Sequence, residues 1–453
     1  MVVAVLEAVA VAVTDSSQTN KSRHPSIRAT LGIATGALLA SGGVSADWLP
    51  DLQDWETSAG LMYYSESGRV SAIEPVISAK KNLDTDEYLT LKLTLDTLTG
   101  ASATGAVSSE LPQTFTRPSG NGSYTIASGQ TPLDDTFKDT RLTFNANWER
   151  PVAEELTLNL GTALSKEYDY LSLGISGGLA KDINAGNTTL SGGLSLSADS
   201  GSPVGGEPIP FAAMQPEDTD PLRQGSGSDK QVIDAVFGLT QIINKRSLFQ
   251  INYSLSSSDG YLNDPYKFIS VVDPITGNPV FENSVQPDLP TVAYENRPDS
   301  RTKHSLYAQY KIALGDNILD SSYRFLTDDW GINSHTLDFR YRIASNNGSY
   351  WQPHIRLYQQ SAADFYTPFF VGSERPVSGD SHSFASADYR LGEFTATTLG
   401  LEYGRRSGTR GWSVAAEYYL QSGKEPDKKF GALADQTLFP DVDAFFVRFI
   451  RDF

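Results

Sequence analysis

The chain ends in Phe445-Phe-Val-Arg-Phe-Ile-Arg-Asp-Phe453, and this stretch decides the class of fold. Apolar residues at alternate positions would share one face of an extended strand: Phe445, Val447, Phe449 and Phe453. Only Arg451 interrupts that row. A final strand with one apolar face and a terminal aromatic residue is typical of the closing strand of a bacterial outer-membrane β-barrel, where it would act as an assembly signal. The alternative is a soluble edge strand, because half-buried strands alternate in the same way.

The composition excludes several classes of function. The chain has 453 residues, a formal net charge of −18 and no cysteine. The absence of cysteine excludes disulfides, thiolate metal sites, cysteine nucleophiles and haem attachment through Cys-x-x-Cys-His. It suits an exported protein. The acidic balance argues against nucleic acid as a partner, because nucleic acid needs a basic face.

The N-terminal region has the pattern of an export signal. Lys21, Arg23 and Arg28 form a basic segment, residues 29–39 are apolar, and Val44-Ser-Ala46 supplies small residues for cleavage. We expect residues 1–46 to be an extension plus a cleavable signal peptide, and residues 47–453 to form the barrel. No uninterrupted run of about 20 apolar residues predicts a membrane-spanning helix.

Strand-like runs with a period of two recur along the rest of the chain. In the clearest run, leucines at 89, 91, 93 and 95 alternate with polar residues that include Lys92 and Asp96. Seven short polar turns are predicted near 83–86, 150–154, 182–187, 244–247, 314–317, 345–349 and 406–410. The other connections fall near 65–69, 99–137, 166–169, 200–229, 257–300, 327–331, 361–383 and 422–441.

The order of these connections predicts the topology. If the first mature strand runs outward, every long connection lies on the outer side and all seven short turns lie on the periplasmic side. A soluble sandwich has no reason to sort its loops in this way. The sequence therefore predicts an all-β, transmembrane antiparallel barrel of about 16 strands. Residues 384–404 are treated as one long strand.

Several segments also resemble a known bacterial family. They are Ser71-Ala-Ile-Glu-Pro-Val-Ile-Ser-Ala-Lys-Lys81, Gln113-Thr-Phe-Thr-Arg-Pro-Ser-Gly-Asn-Gly-Ser-Tyr124, Pro132-Leu-Asp-Asp-Thr-Phe-Lys-Asp-Thr-Arg141, Lys166-Glu-Tyr-Asp-Tyr-Leu-Ser-Leu-Gly174, Gly260-Tyr-Leu-Asn-Asp-Pro-Tyr-Lys267 and Asp328-Asp-Trp-Gly-Ile332. The family is known only as a domain of unknown function. The resemblance implies an outer-membrane barrel of a Gram-negative bacterium, encoded near flavin-transferase and thioredoxin-like genes. It implies no catalytic residues.

The motifs that could carry chemistry have simpler explanations. Gly174-Ile-Ser-Gly-Gly178 matches the nucleophile elbow Gly-x-Ser-x-Gly, but a strand context favours small residues that make room inside a barrel. The histidines lack metal-ligand spacing. Paired acidic residues in the loops lack the pattern of a Ca²⁺ loop. We therefore predict no catalytic residues, no metal, no cofactor and no enzyme activity, with an outer-membrane hydrolase as a distant alternative.

Charged residues on the inward face of the predicted strands are the candidate site. By alternation they are Lys92, Asp96, Arg141, Asp320, Arg324, Asp338, Arg340, Arg342, Arg356, Glu402, Glu417 and Arg448. Facing charges across a water-filled lumen would set a selectivity. Alternatively, they pair across strands and fill the interior. Arg340, Arg342 and Arg356 lie on adjacent strands and would favour anionic solutes.

The preferred function is passage of a small hydrophilic solute through a porin-like lumen, narrowed by the loops near 99–137 and 257–300. The expected partners are outer-membrane lipid and the barrel-assembly machinery, with an oligomer as a further option. The alternative function is a scaffold for a periplasmic or cell-surface redox or metal-handling partner, which follows from the gene neighbourhood that the resemblance implies.

Overall fold

A computed structural model describes residues 55–453 except 220–221, 226, 409, 428 and 440, and leaves the side chains of 135–137 undescribed. The predicted N-terminal extension and signal peptide, residues 1–46, therefore lie outside the described residues. Sixteen strands form a closed barrel. They are β1 (Trp55–Glu66), β2 (Val70–Asp84), β3 (Glu87–Ala103), β6 (Leu133–Ala153), β7 (Leu156–Lys166), β8 (Tyr170–Ile183), β9 (Thr188–Gly201), β12 (Ser228–Asn244), β13 (Ser247–Gly260), β16 (Ser300–Leu314), β17 (Asn317–Asp328), β18 (Asn333–Ala344), β19 (Ser349–Gln360), β21 (Phe394–Ser407), β22 (Arg410–Gly423) and β23 (Val442–Asp452).

The chain connects these strands in sequence order, and each pairs antiparallel with its neighbours. The first and last strands close the barrel, with the register running from Ser58 opposite Asp452 to Glu66 opposite Ala444. The backbone N–H of Phe453 extends this pairing by donating to the carbonyl of Thr57 at 3.0 Å. The predicted fold class and the count of sixteen strands are confirmed.

Loop lengths are sorted between the two ends of the barrel. One end, the turn end, carries seven short turns that coincide with the seven predicted ones. Gly348 shows the need for glycine there, because its φ is +78° and a Cβ would lie 2.6 Å from the carbonyl oxygen of Arg406. The opposite end, the loop end, carries all of the long connections: 104–132, 202–227, 261–299, 361–393 and 424–441.

The prediction of one long strand over 384–404 is wrong. The strand β21 begins only at Phe394, and the residues before it belong to the long loop 361–393. A 3₁₀ turn at Tyr389–Leu391 interrupts the extended chain, and the carboxylate of Asp388 accepts a hydrogen bond from the backbone N–H of Arg390. Two further 3₁₀ turns in the loops are Gly372–Glu374 and Gly431–Leu433.

The outer face of the barrel is apolar and exposed. Ile175, Leu194 and Phe237 lie on the adjacent strands β8, β9 and β12 and are 63%, 61% and 58% exposed, so they belong to a contiguous apolar surface of the kind that soluble monomers rarely expose. Aromatic side chains pack against one another near the turn end, where the ring centre of Tyr403 lies 4.7 Å from that of Trp351 and 5.6 Å from that of Trp412. An apolar band bordered by aromatic residues is the surface that a lipid bilayer requires. Among the described residues, no helix is long and apolar enough to cross a bilayer.

Most of the packed core lies in the long loops, and a smaller cluster around Tyr64, Ala72 and Ala444 lies inside the barrel. Seven short strands within these loops form three small sheets: β4 (Gln113–Thr116) with β5 (Ser123–Ile126), β10 (Glu207–Pro208) with β11 (Arg223–Gln224), and β14 (Phe268–Val272) between β15 (Val292–Tyr294) and β20 (Phe369–Val371). All five residues of β14 are buried. Of the eleven largest fully buried side chains among the described residues, only Thr97 lies outside the five long loops. We call these five loops together the cap.

The closing strand yields a test of the predicted assembly signal. Phe445, Val447 and Phe449 lie on the outer face, in register with Tyr418, Ala416 and Val414 of β22. We expect Phe453→Ala to lower the amount of folded barrel in the membrane, because it removes the terminal aromatic residue, whereas Phe453→Tyr should leave that amount unchanged. The readout is heat-modifiable migration of membrane fractions on SDS gels. Normal membrane levels of Phe453→Ala would refute the role in assembly.

Candidate functional site

A cavity of about 1060 Å³ lies inside one half of the barrel. Its lining follows almost the whole length of β17, from Ile318 next to the turn end to Leu326 near the loop end. Side chains of β7, β8, β9, β12, β13, β16, β17, β18 and β19 contribute to the lining. We call this cavity the chamber. Its size is that of pockets that hold small-molecule ligands.

Small residues explain why the chamber lies on this side. On the inner faces of β7 and β8, Gly161 and Ser176 are directly opposite, and a Cβ at Gly161 would lie 2.4 Å from the Ser176 Oγ. A Cβ at Gly238 would likewise lie 2.4 Å from the Ser191 Oγ. Ser176, Gly178, Gly193 and Ser195 line the chamber on β8 and β9, and their small side chains leave the space that it occupies. Ser176 lies within β8 and not in a strand–turn–helix elbow.

The chamber wall carries hydroxyl and amide groups on β7, β9 and β13, and most of its charges lie on β16, β17 and β18. The uncharged polar groups include Asn159, Ser195, Asn252 and Ser254, and the acidic Asp234 of β12 lies among them. The charged side chains are Asp234, Lys303, Lys311, Asp320, Arg324, Arg340 and Arg342. Four of the predicted lumen residues therefore line the chamber: Asp320, Arg324, Arg340 and Arg342.

Two of the basic groups in the chamber wall form ion pairs. The Lys311 Nζ of β16 lies 3.0 Å from an Asp320 carboxylate oxygen on the adjacent β17, and the Arg340 Nε lies 3.4 Å from Asp338 of its own strand β18. Arg342 instead contacts two neutral groups. Its Nε donates to the Gln352 side-chain oxygen at 3.2 Å, and its guanidinium carbon lies 3.9 Å from the centre of the Tyr350 ring.

The other half of the barrel is filled by side chains. The imidazole of His354 lies between two carboxylates, 2.8 Å from Asp338 and 3.2 Å from Glu417. Glu417 reaches His354 across β21 because Gly400 separates them, and a Cβ at Gly400 would lie 2.8 Å from the Glu417 Cγ. In this half, the charged side chains pair across strands and fill the interior, which is the alternative arrangement that the sequence left open.

A second contact between side chains also spans an intervening strand, at the next inward-facing position toward the turn end. Arg448 donates to Glu402 at 2.8 Å over Ala415, the residue that separates them in the register. Tyr350 donates to the same Glu402 carboxylate at 2.6 Å. Arg356 lies opposite Asp338 in the register but outside the chamber lining.

The predicted lumen charges on the early strands form a separate group. Arg141 of β6 donates to Asp96 of β3 at 2.8 Å, and its guanidinium lies 3.7 Å from Glu167. Burial, followed by the nearby Asp139 carboxylate, raises the pKa of the Glu167 carboxyl to about 8. Lys92 lies opposite Asn145 in the register.

The cap crosses the mouth of the barrel above these groups. The loop 261–299 starts from the ninth and tenth barrel strands, yet it contacts the loop 104–132, which starts from the third and fourth. The backbone N–H of Phe268 donates to the Thr104 carbonyl at 2.9 Å, and that of Val107 to the Ser270 Oγ at 3.0 Å. These are the two loops that the sequence predicts as a constriction.

Other loops join the same cap. The strand β14 of loop 261–299 pairs with β20 of loop 361–393, with Ser270 opposite Phe369. On the far side, the backbone N–H of Ala432 in loop 424–441 donates to the Thr276 carbonyl at 2.7 Å. Because these loops start from strands around the circumference, their contacts bridge the loop end of the barrel.

A buried ion cluster holds two of the cap loops together. We call it the cap ion cluster; its members are Asp264, Lys267, Glu295, Arg297, Asp388 and Arg390. Arg297 lies 2.6 Å from Glu295 and 2.9 Å from Asp388, whose side chains are only 1% exposed. Arg390 lies 2.9 Å from Asp264 and 2.5 Å from Asp388. Asp264, Glu295 and Arg297 belong to loop 261–299, whereas Asp388 and Arg390 belong to loop 361–393, so the cluster joins the two loops.

The electrostatics of the cap ion cluster favour the ionised forms of Asp388, Arg297 and Arg390, whereas burial raises the pKa of the Glu295 carboxyl and lowers that of Lys267. Burial alone would raise the pKa of the Asp388 carboxyl, but Arg390, Lys267 and Arg297 hold that pKa well below its usual range. Burial lowers the pKa of Arg390 and Arg297, and the facing carboxylates outweigh it and raise both pKa values. A buried charge without its partner is costly, so removal of one member should weaken the contact between loops 261–299 and 361–393.

The sequence reasoning missed the cap core and its ion cluster. The run Phe268-Ile-Ser-Val-Val272 within a predicted loop was the available signal, because short apolar runs bounded by turns are typical of buried strands. No group of three or more His, Asp or Glu side chains in the described part of the chain is placed to hold a metal ion.

The sequence profile of one protein family matches residues 28–453. The chain belongs to the DUF3570 family. That family is described as a protein of unknown function. A search of curated proteins gave no significant match.

Solved structures with a similar fold include a bacterial polysaccharide outer-membrane secretin. It is 9% identical at a TM-score of 0.42, over 89% of this chain and 99% of that one. Another is the siderophore receptor PirA from Acinetobacter baumannii, 10% identical at a TM-score of 0.39, over 81% of this chain and 53% of the receptor. A third is the ferric enterobactin receptor PfeA in complex with BCV-L6, 10% identical at a TM-score of 0.41, over 81% of this chain and 54% of the receptor. The chain thus spans about half the length of these two receptors.

The cysteine-free chain allows a direct test of the chamber. Ser195 lines the chamber, and its neighbour Leu196 lies on the outer face with 49% of its surface exposed. In lipid vesicles, we expect a water-soluble thiol reagent to modify Ser195→Cys and to leave Leu196→Cys unmodified, because lipid covers the outer face. Mass spectrometry of the intact protein measures the modification. Equal modification of both variants, or protection of Ser195→Cys until unfolding, would contradict a water-filled chamber.

Proposed function

We propose that this DUF3570 protein is an outer-membrane channel that passes a small hydrophilic solute through its lumen and is gated by the cap. The observation that carries the proposal is the polar chamber, which runs nearly the length of the barrel and ends beneath a packed cap. A barrel that served only as a membrane anchor would have no need for a chamber of about 1060 Å³.

The arrangement of the two ends supports an orientation in the membrane. Short turns face the periplasm in outer-membrane barrels and long loops face outward. In this proposal the turn end is periplasmic, the cap lies at the cell surface, and the chamber is reached from the periplasmic side until the cap opens. Assembly would need the barrel-assembly machinery and outer-membrane lipid. No catalytic step, metal or cofactor is required for passage.

Gating by the cap requires its loops to separate. The strand β14 joins three of the hydrophobic clusters, because Phe268 packs in one, Ile269 and Val271 in a second, and Val272 in a third. The cap ion cluster adds charged contacts between loops 261–299 and 361–393. Such a cap is a folded unit with a stability of its own, so opening would be rare in the absence of a trigger.

Conductance of a loosened cap tests this proposal. Arg390→Ala leaves Asp264 and Asp388 without one of their buried partners, and breaking such a pair costs about 3–5 kcal/mol. We therefore expect purified Arg390→Ala protein in a planar bilayer to open more often than the wild type, with the same step size. The recordings measure open probability and step size separately.

The matched control removes an exposed basic residue of the same cap. Lys424 pairs with Glu393 at 3.0 Å, and both side chains are about half exposed. Exposed pairs contribute little to stability, so Lys424→Ala should behave as the wild type. Silence of both the wild type and Arg390→Ala, with the barrel shown to be folded, would reject conduction. Co-purification of a periplasmic redox protein would then favour the scaffold function.

A further inference from the structure

We infer that the chamber binds an anionic solute that carries several hydroxyl groups, of the sugar-acid class. This inference rests on the proposed function, because it names the solute for which the channel would be selective. It is drawn from the charge of the chamber wall, from the groups that oppose those charges, and from the size of the space between them.

The charge of the chamber is opposite to that of the chain. Five basic and two acidic side chains line it, a balance of +3, and the Asp338 carboxylate lies beside Arg340 outside the lining. The whole chain has 54 acidic and 36 basic residues, and a wall of average composition would therefore be negative. Clefts lined by one sign of charge with low-dielectric walls concentrate solutes of the opposite charge.

The basic groups lie together on three neighbouring strands. Lys303 and Lys311 belong to β16, Arg324 to β17, and Arg340 and Arg342 to β18. Within the described part of the chain, Arg342 contacts two neutral groups, the Gln352 amide and the Tyr350 ring, and forms no ion pair. Stacking on Tyr350 restricts the guanidinium without neutralising it, so the charge is available to a carboxylate. A guanidinium fork matches the two oxygens of a carboxylate.

The wall formed by β7, β8, β9 and β13 supplies the complementary chemistry. Ser195 and Ser254 present hydroxyls, and Asn159 and Asn252 present amides, which both donate and accept hydrogen bonds. Such groups suit the hydroxyls of a sugar, which need donors and acceptors in equal measure. A purely apolar anion would leave these polar groups without partners, at a cost in affinity.

Titration calorimetry with three sugars of equal size tests the inference. The probes are glucuronate, glucose and glucosamine, which are negative, neutral and positive at pH 7. We expect the folded full-length protein in detergent to bind glucuronate about tenfold more tightly than glucose, since one charge-assisted contact is worth roughly that factor. Binding of glucosamine should be weaker still.

Two variants separate the charge from the fold. Arg342→Gln should reduce the affinity for glucuronate about tenfold and leave that for glucose unchanged, because only the charge-assisted contact is lost. Asp234→Asn removes an acidic residue of the same wall and should bind glucuronate at least as tightly as the wild type. Heat-modifiable migration on SDS gels checks that each variant is folded. Equal affinity for the three sugars, no binding of any, or an unchanged Arg342→Gln would overturn the inference.

The inference and the proposed function fail in different ways. If the protein binds glucuronate preferentially but never conducts, even as Arg390→Ala, the channel function is rejected and the binding site is retained. If the protein conducts clearly but shows no selective binding and no block of the current by glucuronate, the sugar-acid site is rejected and the channel function is retained.

Discussion

The pairing of the first strand with the last is the constraint on which the rest of the structure depends. In a bilayer, no water is available to a backbone N–H or C=O, so a sheet must close on itself. Closure here joins β1 to β23 over nine residue pairs, from Ser58 with Asp452 to Glu66 with Ala444. With sixteen strands in antiparallel order, β1 begins and β23 ends at the turn end, and every second connection lies at the loop end. Only because these connections share one end can they fold together as a cap.

The barrel reverses the usual distribution of polarity, and the chamber and the cap both follow from that. Leucines and most aromatic residues face outward, so the strands place mainly polar and small side chains inside, apart from aromatic pairs such as Tyr64 and Phe446. Where those side chains are long, as in the Asp338–His354–Glu417 group, they reach over neighbouring strands on the inner face and form hydrogen bonds with one another. Where they are glycine and serine, as on β7 and β8, space remains. The apolar core that would normally lie under the sheet is found in the loops, around β14.

Much of the barrel could be predicted from the sequence, because alternation and loop length are local properties. The strand count, the seven turns and the inner face of the strands follow from them. The same signal failed at 384–404, because Ala385 and Ala387 alternate as a strand would but are buried in the cap, and the carboxylate of Asp388 binds Arg297 and Arg390 instead of facing a lumen. Which charges line the chamber could not be predicted, because it depends on the residues across the register. Glu417 reaches His354 only because Gly400 lies between them.

The central claim is that passage through the barrel requires the cap loops to part, and a reversible cross-link tests it most directly. Asn296 of loop 261–299 and Ala385 of loop 361–393 exchange backbone hydrogen bonds at 3.0 and 2.8 Å. Such pairs have Cα atoms about 5.5 Å apart, a distance that a disulfide can span. In a planar bilayer, the double variant Asn296→Cys/Ala385→Cys should show channel openings when reduced and none when oxidised. The single variant Asn296→Cys should show the same openings in both redox states. Undiminished conductance of the fully cross-linked protein would contradict the account.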